Sequence, residues 1–69
     1  MDLEWEDGFE IRVRIDKNTV TISANQAGLQ SLAKQLTALA EAAPGSHIHC
    51  DEYNSLEAGS AEMIIERIA

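Results

Sequence analysis

The sequence predicts an α+β fold of order ββαββ: a small, four-stranded, largely antiparallel sheet with one helix packed on one face. Three observations predict it. Two runs of period-two alternation flank a short polar break at 16–18. A stripe of leucine and alanine at three- and four-residue spacing follows, closed by Pro44 and Gly45. Two further short runs of strand character complete the chain.

The first run is "FEIRVRI", 9–15, in which Phe9, Ile11, Val13 and Ile15 share one side and Glu10, Arg12 and Arg14 the other. Successive side chains of a strand point to opposite faces, so this is a half-buried strand. "DKN" supplies the turn, with Asn18 the residue suited to a left-handed conformation. "TVTIS", 19–23, resumes the alternation with Val20 and Ile22 inward, which makes the pair a hairpin.

The helix begins at Ser23, which with Gln26 resembles a capping box; Asn25 is the competing N-cap. Leu29, Leu32, Leu36 and Leu39, with Ala33, Ala40 and Ala43, form the expected buried stripe. Gln30, Lys34, Thr37 and Glu41 are expected to face water. Gly28 is a poor helix former, and close approach of helix to sheet would explain it. Pro44 and Gly45 stop the helix.

"SHIHCDE", 46–52, is the third strand, 53–60 a loop with Leu56 capping the core, and "AEMIIERI", 61–68, the fourth. In that last strand Ala61, Met63 and Ile65 make one face, and Ile64 and Ile68 the other. Two isoleucines on an otherwise polar face suggest a homodimer or partner contact, or else the opposite parity. The strand order stays open, 2-1-3-4 being one all-antiparallel solution.

The 69 residues are expected to make one domain, with 1–8 an acidic arm and Trp5 either folded over the core edge or offered to a partner. A chain this short buries only about 60% of its unfolded surface, leaving little room for a deep cleft. Net charge is −7, from 12 acidic against 5 basic residues. That argues against nucleic acid and anionic membrane as partners and favours steered association with a basic protein. Cys50 stands alone, no apolar run resembles a signal or a membrane span, and a cytoplasmic, soluble protein is expected.

Chemistry concentrates in "GSHIHCDEYNS", 45–55, which holds both histidines and the cysteine. His47, His49 and Asp51 share a strand face at about 7 Å steps, a spacing from which zinc or iron could be held, with Glu62 or Glu66 of the next strand as a further ligand. The simpler reading is a polar face that only pairs across the sheet. Cys50 points to the opposite face from His49 and Asp51, so no nucleophile–base dyad forms within the strand, and a buried apolar role is expected. No Gly-rich phosphate loop and no carboxylate-lined cleft is implied. No cofactor and no catalytic residue is expected. The loop is more suggestive as a surface: Asp51, Glu52, Asn54 and Glu57 surround Tyr53, an aromatic that could insert into a basic groove, steered by the acids. The alternative is a Tyr53 ring packed on the sheet end with only its hydroxyl exposed.

The runs "ISANQAGLQSLAKQLTALAE" and "PGSHIHCDEYNSLEAGSAEMIIERI" resemble the bacterial immunity protein 32 family over about residues 20–68. The helix entry with Asn25, Gly28 and Leu29, the "GSHIH-DE" strand and the "L-GS-E-IIE" ending carry the resemblance. Cys50 stands where an apolar residue is expected, and residues 1–19 lie outside it. The resemblance implies a protein that binds and blocks a cognate polymorphic toxin, with no enzyme activity. A basic, nuclease-like toxin would suit the acidic surface. Two other readings stay in play: a metal-binding module on His47, His49 and Asp51, and a homo-oligomeric structural domain without ligand.

Overall fold

The computed structural model describes residues 4–69. The order is ββαββ: β1 Ile11–Asp16, β2 Thr19–Ala24, α1 Gln26–Glu41, β3 His47–Cys50 and β4 Met63–Glu66. All strand pairing is antiparallel, β1 with β2 and β3 with β4. The strands fall into two two-stranded ladders rather than one four-stranded sheet. The gap is bridged by the loop that leads into β4. Glu57 N–H donates to the Ile11 carbonyl at 2.8 Å, and Ala61 N–H to the Val13 carbonyl at 2.8 Å. Val13 N–H in turn donates to Ser60 Oγ at 3.2 Å. The outer edge of β1 is therefore covered by 57–61, not by β3 as the 2-1-3-4 order would have it. A covered edge cannot recruit a foreign strand.

Register sets the faces. Ile11, Val13 and Ile15 stand opposite Ala24, Ile22 and Val20, and Ile48 and Cys50 opposite Ile65 and Met63. Ile11, Val13, Leu39, Ile48, Cys50 and Leu56 form the buried core, with Ala61, Met63 and Ile65 packed beside it. The parity expected of β4 holds: Ile64 and Ile68 point out and are exposed. The tip of the first hairpin overhangs the core. Ile15 and Val20 are each 61% exposed despite lying on the apolar side. The turn there places Lys17, not Asn18, at positive φ, 58°.

The helix is turned from its expected orientation. Gly28, Ser31, Gln35 and Leu39 are its buried residues. Leu29 is 56% and Leu36 48% exposed, and Ala33, Ala40 and Ala43 are exposed with them. The cause is the N-terminal arm, which from Glu4 onward lies against the helix. Glu6 N–H donates to Ser31 Oγ at 2.7 Å, and the Gln35 side-chain amide donates to the Glu4 carbonyl. Lys34 Nζ lies 2.5 Å from a Glu6 carboxylate oxygen. Polar residues are buried on this face because the arm's backbone needs partners there. Trp5 is half-buried and stacks on Phe9, ring centroids 5.0 Å apart, as a cover for the core edge. Residues 1–3 of the expected arm lie outside the described residues.

Asn25, not Ser23, is the N-cap. Its side-chain oxygen accepts from Gly28 N–H at 2.8 Å and from Glu10 N–H at 3.0 Å. Its amide donates to the Gly8 carbonyl at 2.9 Å. One side chain thus ties helix, arm and β1 together. At the other end Arg67 donates to the Ala40 carbonyl at 3.1 Å and to the Ala42 carbonyl, placing positive charge where the helix dipole is negative.

Candidate functional site

The β3–β4 connection holds the residues singled out from the sequence. Its first turn is closed by reciprocal side-chain bonds. Asp51 Oδ1 accepts from Tyr53 N–H at 2.9 Å and Asn54 N–H at 3.1 Å. Asn54 Oδ1 accepts from Asp51 N–H at 3.1 Å, and its amide donates to the His49 carbonyl at 2.9 Å. Asp and Asn suit this position because their short polar side chains substitute for backbone partners in a tight turn. Asp51 O then accepts from Ser55 N–H at 3.1 Å and Leu56 N–H at 2.9 Å. Ser55 and Leu56 are buried and anchor the turn to the core. Glu52 reaches across to accept from Gly59 N–H at 2.9 Å. Gly59, at φ 86°, makes the reversal that this bond closes.

The five residues of the expected partner surface therefore divide. Asp51, Asn54 and Glu52 spend side-chain atoms on holding the loop. Glu57 is half-buried where its backbone meets β1. Tyr53 is 92% exposed, so its ring does not pack on the sheet end. The result is one aromatic held out from a hydrogen-bonded, acid-bearing turn. A backbone already held in place loses little further entropy when a partner buries the residue it carries.

The strand beside the turn brings together a second group. Asp51 lies just past the end of β3 and Glu62 just before the start of β4, so neither stands in the paired strands, yet both come close to His49. His49 Nε2 lies 3.1 Å from Glu62 Oε1. One ligand atom from each of His49, Asp51 and Glu62 falls within 4.8 Å of the others. His47 stands opposite Glu66 and is not part of that group. Sequence spacing grouped His47 with His49 because both sit on one strand face, with Glu62 or Glu66 as a further ligand; the structure brings Glu62, from just before β4, to His49 and leaves His47 apart. Cys50 is buried on the core side, away from both histidines' face, and serves as a small apolar residue. Lys34, with the Glu6 hydrogen bond and then the Glu6 charge as the main causes, has its pKa raised above the ordinary lysine value.

Among the described residues, no helix is long and apolar enough to cross a membrane. A family model described as Immunity protein 32 matches residues 19–68. No curated protein and no solved structure matches the chain. The matched span takes in β2, the helix, both later strands and the whole loop that carries Tyr53.

Proposed function

The chain belongs to the immunity protein 32 family, and from that premise we propose that it binds a cognate toxin protein and blocks it, by occlusion and without a catalytic step of its own. The observation that carries the proposal to a surface is Tyr53, exposed at the apex of a turn whose own side chains fix it. Its ring enters a pocket on the toxin, and Glu52, Glu57 and the acidic surface behind them steer the approach. A net charge of −7 supports a partner with a basic face, such as a toxin that acts on nucleic acid. The protein works in the cytoplasm, where such a toxin would do its damage.

The experiment is capture of the tagged chain with its partner from native cells, followed by reconstitution. The expected result is a one-to-one complex with a toxin domain whose isolated activity is lost on stoichiometric addition of the chain. Tyr53→Ala is expected to weaken that complex at least tenfold, a typical cost for an aromatic anchor of roughly 2 kcal/mol. A partner whose activity is unaffected by the chain would overturn the inhibitor reading. Full affinity in Tyr53→Ala would move the interface away from the loop.

A further inference from the structure

We propose that His49, Asp51 and Glu62 form a binding site for a divalent cation of zinc type on the solvent face of the β3–β4 hairpin. Their ligand atoms already lie within 4.8 Å of one another. Donors bonded to zinc at about 2.0–2.2 Å in tetrahedral geometry stand roughly 3.4 Å apart, so closure needs side-chain shifts of about an ångström. His49 and Glu62 are half exposed or more, which leaves them room to make that shift. The backbone is anchored by the last strand pair: Asp51 directly follows Cys50, and Glu62 directly precedes Met63, the partner of Cys50 across the ladder.

Electrostatics points the same way independently of the spacing. Asp51 and Glu62 set two carboxylates together in a chain of net charge −7. Among the described residues the lysine ion pairs are those of Lys34 with Glu4 and Glu6, on the far side of the molecule's sequence and not at this cluster. The partner facing Glu62 is an imidazole, a group that can give a lone pair as readily as a proton. The turn engages Oδ1 of Asp51 with two backbone N–H groups, bonds that do not involve Oδ2. One nitrogen and two oxygens are a borderline donor set: the imidazole selects against calcium and magnesium, and three protein ligands leave a fourth position for water.

The site shares Asp51 with the turn that holds Tyr53 but does not rest on the toxin-binding proposal, and it is tested without a partner. Metal-stripped full-length protein is titrated with zinc chloride by calorimetry, and with cobalt(II) as a spectroscopic probe of coordination. The expected result is one ion per chain at micromolar affinity, with a cobalt spectrum of low coordination number. His49→Ala and Glu62→Gln should each weaken zinc at least tenfold, while His47→Ala, on the same face but outside the group, should leave it within about twofold. The three exposed substitutions are checked for unchanged thermal unfolding in chelator, so that loss of binding is not loss of fold. Absence of one-to-one binding in the native chain overturns the proposal. So does zinc binding that survives His49→Ala, or that is lost equally in His47→Ala.

Discussion

Gly28 sits where the helix crosses β1, and the crossing is possible because it has no side chain. A Cβ there would overlap the Glu10 carbonyl oxygen and lie 3.0 Å from both Ala24 Cβ and Ile11 Cγ1. Helix propensity alone would make Gly28→Ala stabilising by about 1 kcal/mol. Overpacking against backbone opposes it, and the expected net is a loss of about 1–3 kcal/mol in urea denaturation. An increase in stability would mean that helix and sheet separate without cost. Ser60 is a second single-residue case. Its hydroxyl is the acceptor for Val13 N–H, and Val13 is buried. Ser60→Ala leaves that donor unpaired and is expected to cost about 1–3 kcal/mol. Ser60→Thr, which keeps the oxygen, should recover most of it.

At the scale of elements, the arm and the helix form one unit. Lys34 bridges Glu6 and, at 3.8 Å, Glu4, and its raised pKa ties arm docking to pH. A lysine whose pKa is higher folded than unfolded adds stability fully present below its ordinary value of 10.5. That stability is lost as pH rises through the folded value. The group is exposed, so the effect is local and small. Trp5 reports it, being the single tryptophan and half-buried on Phe9. Its emission should shift to the red above the lysine range in the native chain. In Lys34→Met the shift should be present already at neutral pH and insensitive to alkali. An identical titration in both would uncouple the ion pair from docking of the arm.

At the scale of the whole molecule, charge and surface shape decide how a partner is met. Acids dominate, and three of the five basic residues, Arg12, Arg14 and Lys17, lie on the first hairpin, in sequence far from the acidic turn. Association with a basic toxin should therefore slow as salt is raised, most of the change falling in the on-rate. Stopped-flow measurement between low and physiological ionic strength checks this, and a salt-independent rate would remove steering from the account. Reversing Asp51 or Glu52 is a poor probe of the same idea, because their carboxylates hold the turn and the loop. Changes there would alter shape and charge together, whereas Tyr53→Ala alters neither the turn's bonds nor the net charge.

Periodicity by itself determined the element order, the inward faces of β3 and β4 and of Ile11 and Val13 in β1, and the isolation of Cys50 from a base. Each depends on side-chain direction along a single element, which alternation encodes directly. Val20 and Ile22, expected inward on β2, are instead 61% and 45% exposed, and the loop expected at 53–60 runs from the end of β3 at Cys50 to the start of β4 at Met63. The resemblance to immunity protein 32, read over about 20–68, is matched by the family model over 19–68. Tertiary structure decided the rest. Leucine spacing gave a stripe on the helix, but it could not weigh Ser31 and Gln35 against Leu29 and Leu36. Backbone groups of the arm settled that, and they carry no sequence signal. Alternation likewise fixes faces and not neighbours. The split into two ladders, the cover over the β1 edge and the meeting of Glu62 with His49 are relations between strands distant in the chain. They follow from register and loop path, set only when the whole core packs.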